Sequence, residues 1–204
     1  SEYESIRKSG KIAITLKEGD ELISIFKTTG NDNIFLATRN GMAICFNEND
    51  ARAVGRTASG VKAIDLADGD YVVGAEPVRE DSKVLLVTDG GYGKCTDLTS
   101  FRIQHRGGKG LKAYKITEKT GNIIGISMVN DSEELIMVTS EGVVIRIRIK
   151  DIATTTGRIT QGVRLINLND GVTVVSMDKI SAEDTVEEES EENNTEVTAE
   201  TTEE

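Results

Sequence analysis

The chain has 204 residues, enough for one domain or two small ones with a real core. Two cysteines, one histidine and the lack of any apolar run near 18 residues argue against a zinc centre, a disulfide framework and a membrane-spanning helix. The net charge of −11 is uneven: residues 181–204 hold 11 acidic residues and no Lys or Arg, leaving residues 1–180 formally neutral with 24 of each sign.

The N-terminal "SEYESIRKSG" lacks the apolar core of a secretory signal, and the simplest setting for the two cysteines is a reduced, cytoplasmic one. From there the chain repeats. "SGKIAITLKEGDELIS", "SGVKAIDLADGDYVVG", "KGLKAYKITEKTGNIIG" and "QGVRLINLNDGVTVVS" align on Gly10, Gly60, Gly110 and Gly162, spaced by 50, 50 and 52 residues. A second motif keeps step: "LATRNG", "LVTDGG" and "MVTSEG", ending at Gly41, Gly91 and Gly142.

Each repeat reads as four short strands. A leading strand follows the first glycine, where Ile14/Leu16, Ile64/Leu66, Tyr114/Ile116 and Ile166/Leu168 mark a half-buried face with period two. "EGD", "DGD", "KTGN" and "NDG" supply a turn, read as a hairpin, into a second strand ("ELISIF", "YVVGA", "NIIGI", "VTVVS"). The third strand ("NIFLAT", "KVLLVT", "ELIMVT") turns through glycine into the fourth ("MAICF", "YGKCT", "VVIRI"). Cys45 and Cys95 fall at equivalent places on fourth strands and are expected to be buried and unpaired. Four strands per repeat of about 50 residues predict an all-β, propeller-like array of blades over residues 1–180. Because the first repeat has nothing before it, the chain is expected to be a piece of a longer protein with open sheet edges. The tail, 181–204, is too acidic and too poor in large apolar residues to fold, and is expected to be disordered.

The loops entering each repeat carry basic residues at matching offsets. Arg56, Arg106 and Arg158 stand four before the leading glycine, with Arg7 three before it in the first copy. Lys62, Lys112 and Arg164 stand two after it, with Lys11 one after it in the first copy. Any one of them reads as an ordinary solvated charge at a strand end. As a set recurring along one rim, they make a positive stripe suited to an extended polyanion such as duplex DNA. The third loop, "QHRGGKG", is the densest. Gly107, Gly108 and Gly110 let backbone approach a phosphate, Arg106 and Lys109 add charge, Gln104 can donate, and His105 reads as an exposed loop residue. No Walker pattern is present, no base-reading helix or stacking platform is evident, and the scattered carboxylates fall in turns rather than in acid–base pairs.

On these residues the chain resembles the C-terminal domain of the DNA gyrase A subunit. "QHRGGKG" is similar to that family's seven-residue box, Gln-basic-Arg-Gly-Gly-Lys-Gly, and "GRTASGVKAIDLADGDYVVG" and "GYGKCTDL" are similar to its blades. The resemblance implies a β-pinwheel whose basic perimeter binds and wraps duplex DNA, here with the last three to four blades and an acidic tail. It implies no catalytic residue in this chain, since none of Tyr3, Tyr71, Tyr92 or Tyr114 matches the parent's tyrosine. It further implies ATP and magnesium used only elsewhere in a bacterial, nucleoid-associated enzyme, and partnership with the B subunit as well as with the rest of a homodimeric A subunit. Two departures stand out. The box enters a late blade rather than the first, and its second position is His105. A protein-binding propeller and the related domain of topoisomerase IV are the rival readings.

Overall fold

A computed structural model describes residue 8 and residues 10–181. Arg7, Tyr3 and the acidic tail from residue 182 onward lie outside the described residues. Twelve strands are present among them: β1 (Asn33–Thr38), β2 (Met42–Asn47), β3 (Val72–Pro77), β4 (Lys83–Thr88), β5 (Tyr92–Asp97), β6 (Leu111–Lys112), β7 (Ile123–Val129), β8 (Glu134–Thr139), β9 (Val144–Arg148), β10 (Thr154–Thr155), β11 (Val163–Arg164) and β12 (Val174–Ile180). They form three sheets, ordered β3-β1-β2-β6, then β7-β4-β5 with β10 and β11 both against β5, then β12-β8-β9.

This order corrects the idea that one glycine-led repeat makes one blade. The hairpins through Gly41, Gly91 and Gly142 are real: β1–β2, β4–β5 and β8–β9 pair antiparallel. Each hairpin takes its inner strand from the next repeat (β3, β7, β12). In the first two sheets the outermost strand comes from the repeat after that (β6, β11). The turns at "KTGN" and "NDG" are therefore not hairpins, because the strands they join belong to different sheets, and at "EGD" and "DGD" no leading strand is present to pair across the turn. The leading strands are also shorter than expected. Only Leu111–Lys112 and Val163–Arg164 are strands, and the segment from Gly10 through Gly30, including "ELISIF", contains none. Leu16 and Leu66 are exposed at 47% and 44%.

Alternation along the third strands explains how the sheets stack. Val84 and Leu86 point into one inter-sheet core with Phe35, Ala37, Tyr114 and Met128. Leu85 and Val87 point into the other, with Leu135, Met137, Ile149 and Val174. A strand buried on both faces shows no polar alternation, so "VLLV" is apolar throughout. Phe35 and Phe101 meet edge to face, with centroids 4.9 Å apart. Cys45 and Cys95 are buried and unpaired, and burial pushes both thiols up to about 11. Inner strands β3, β7 and β12 stand round an open cavity of about 640 Å³. Gly125 permits their closeness, since a Cβ there would lie 2.5 Å from Met177. The fourth strands and the leading segments thus face the outer perimeter. At the end of the array β9 has no outer neighbour among the described residues, and Val143 and Val144 are left half exposed or more.

Candidate nucleic-acid interface

The basic loops lie together on that outer perimeter, tied into a series by bonds that recur three times. Arg56 donates from Nη1 to the carbonyl of Ile12 at 3.2 Å, Arg106 to that of Lys62 at 3.0 Å, and Arg158 to that of Lys112 at 3.1 Å. In each case the acceptor lies two residues after the previous leading glycine. Backbone bonds run beside them: Thr15 N–H to Ala58, Asp65 N–H to Gly108, and Lys115 N–H to Thr160, at 3.2, 2.8 and 3.0 Å. Every loop is thereby latched to the leading segment of the repeat before it. All three arginines are half-buried, which the sequence pattern did not reveal.

The box-like loop is held from below. Gln104 N–H donates to Cys45, Arg106 Nε donates to the carbonyl of Asp50 at 2.8 Å, and His105 Nδ1 lies 3.2 Å from the Asp50 carboxylate. His105 is otherwise exposed, as expected. Gly107 is left-handed (φ 79°), and its N–H donates to Ala63 at 2.6 Å, so that group is spent on the fold. Lys109 is exposed beside it. Gly110 is required by contact: a Cβ there would sit 2.4 Å from the carbonyl oxygen of Ala43, and Gly162 repeats this at 2.3 Å from Gly93.

The lysines project. Lys62, Lys109 and Lys112 are exposed, as is Lys11. Lys62 reaches Asp65 at 2.8 Å, and that bond holds the Asp65 carboxyl below its ordinary pKa. Arg164 is exposed but braced: its Nε and Nη2 donate to Tyr92 Oη at 3.1 and 3.0 Å, and Nη1 donates to Asn167 at 2.8 Å. These bonds favour the phenolate and lower the Tyr92 pKa.

The loop 157–160 has a feature the box-like loop lacks. Lys94, fully buried in β5, donates to the carbonyls of Gly157 (3.3 Å) and Arg158 (2.5 Å) and meets Thr160 Oγ1 at 3.2 Å. Its Nζ lies 5.3 Å from the Tyr114 ring centroid. Burial, and then the Arg158 charge, pull its pKa down to about 8. Sequence reasoning missed Lys94, yet a signal existed: equivalent places in the sibling strands hold Ile44 and Ile145.

With this geometry in place, comparison with known proteins is decisive. A family model described as the DNA gyrase C-terminal domain, beta-propeller, matches four times in tandem, over residues 1–29, 32–79, 82–130 and 133–181. The chain belongs to that family. The last three matched segments each hold one hairpin and its inner strand (β1, β2 and β3; β4, β5 and β7; β8, β9 and β12), while β6, β10 and β11 each join the sheet of the segment before their own. The DNA gyrase A subunit of Halalkalibacterium halodurans is 58% identical over 90% of this chain and 22% of that protein. Its counterpart in Clostridium acetobutylicum is 49% identical over 89% and 22%. The chain thus spans about a fifth of the length of the gyrase A relatives it matches. Among solved structures, the C-terminal domain of DNA topoisomerase IV superposes with a TM-score of 0.85 at 27% identity, covering 96% of this chain and 61% of that one. The DNA gyrase A C-terminal domain superposes at 0.75 and 27%, covering 85% and 59%.

Proposed function

We propose that this gyrase C-terminal domain binds duplex DNA along its outer loops without sequence preference and bends it round the perimeter. It would do so within a gyrase assembly, together with the rest of a homodimeric A subunit and the B subunit, that carries out ATP-dependent negative supercoiling. The single observation that carries this reading is the threefold recurrence of latched, glycine-bearing loops with exposed Lys62, Lys109, Lys112 and Arg164 on one perimeter. A formally neutral body presents a positive stripe in this way, and a stripe spaced along a curve neutralises successive phosphates of one duplex. A smooth bend of 40–90° over 20–30 base pairs costs roughly 1–6 kcal/mol, within what several phosphate contacts repay. No nucleophile or metal cluster enters the reading, and the chain contributes DNA geometry rather than bond chemistry.

The test is fluorescence anisotropy on duplexes of unrelated sequence across a salt series. Binding should be sequence-independent, with a log–log slope near −0.9 per phosphate neutralised. Failure to bind at about 50 mM salt, where such contacts are strongest, overturns the proposal.

A further inference from the structure

We infer that Arg56, Arg106 and Arg158 are positioning residues: their guanidinium groups latch each rim loop to the one before it, and so set the spacing of the lysines that meet DNA. The inference deepens the DNA-binding reading and rests on it only for its DNA arm.

Three observations converge. The bonds are equivalent in all three copies, running from each arginine to a carbonyl 44, 44 and 46 residues earlier. A residue retained only for charge has no need to share one backbone acceptor across repeats. The arginines are half-buried, while Lys62, Lys109 and Lys112 beside them are exposed, so the arginines are placed to organise and the lysines to project. The box-like copy uses two sides of its fork, Nη1 on the Lys62 carbonyl and Nε on the Asp50 carbonyl, which joins the loop to both neighbouring segments. A planar fork with fixed donors can do this, whereas an ammonium on a flexible stem is a point charge without that geometry.

The acceptors give the latch its consequence. Arg106 holds the carbonyl of Lys62, and Arg158 holds that of Lys112, so each arginine fixes the backbone from which a projecting lysine springs. The parallel backbone bonds, Asp65 N–H to Gly108 and Lys115 N–H to Thr160, lie close to the same junctions and report on them. Without the fork, successive loops shift independently and the lysines lose their common register.

The experiment compares R106K, R106A, R158K and R158A in the 204-residue chain. Amide hydrogen exchange is read at Asp65 and Lys115, with Leu86 in the central β4–β7 ladder as an internal reference for global stability. Exchange at Asp65 should quicken in both Arg106 variants, and at Lys115 in both Arg158 variants, with Leu86 unchanged. Each lysine variant should bind duplex about tenfold more weakly than the parent chain and within twofold of its alanine counterpart. Unchanged exchange at Asp65 and Lys115 overturns the latch, as does parental DNA affinity in the lysine variants. Should an alanine variant fail to fold, the lysine variant decides alone. Should the parent chain not bind DNA, the DNA reading falls while the exchange arm still decides the latch.

Discussion

Lys94 Nζ lies 2.5 Å from the carbonyl oxygen of Arg158, so a fully buried ammonium carries the loop that presents one of the rim arginines. That ammonium has a depressed pKa of about 8, against an ordinary 10.5. Between those values the unfolded chain binds more protons at this residue than the folded chain does. The free energy of unfolding should therefore rise with pH across that window, and the cost of the buried charge is present in full below it. Lys94→Met should lack this rise. Urea unfolding of both chains at a pH near the lower bound and again near the upper bound checks it; parallel behaviour contradicts it.

The leading glycines divide by environment. Gly110 and Gly162 are left-handed and press on the carbonyls of Ala43 and Gly93, while Gly60 is left-handed (φ 80°) with nothing within 4 Å of a built Cβ. Gly162→Ala and Gly110→Ala should each destabilise by about 3 kcal/mol or more, since the obstacle is backbone that cannot swing away. Gly60→Ala carries only the left-handed cost, about 1 kcal/mol. Denaturant midpoints at constant m-value distinguish the two cases.

Tyr92 accepts from two nitrogens of Arg164, and its phenol is acidified chiefly by that fork. Following tyrosinate absorbance against pH, Arg164→Gln should return Tyr92 toward its ordinary range. In Tyr92→Phe the guanidinium loses one acceptor and keeps Asn167. An unaltered tyrosine titration in Arg164→Gln would show that the fork does not persist in solution.

The period of the fold was legible because its turns and apolar alternation are local. Gly41, Gly91 and Gly142 announce hairpins that exist, and Cys45 and Cys95 are buried as their strand positions require. The exchange of strands was not legible. Leu111 pairs with Ala43 and Val163 with Gly93, partners about seventy residues apart whose identities say little about each other. Starting each repeat at Gly10, Gly60, Gly110 and Gly162 cut every blade in two, whereas the sheets begin at the third strand. The segment after Gly10 has the alternation of a strand, but an edge strand also needs a sheet beside it. The rim arginines were found by offset, yet their acceptors were invisible, because a backbone carbonyl carries no residue identity. Lys94 was readable only as a lone charge among the isoleucines of its sibling strands.

The central claim is that one duplex follows the perimeter, and DNA topology reads that path most directly. Nicked circular DNA is ligated with the 204-residue chain bound, then deproteinised, and its linking-number distribution is measured. The account predicts a shift that grows with bound protein and is lost when Lys62, Lys109 and Lys112 are together changed to alanine. An unshifted distribution at saturating occupancy, with binding confirmed on the same circles, would mean that the loops hold DNA without bending it and would contradict the account.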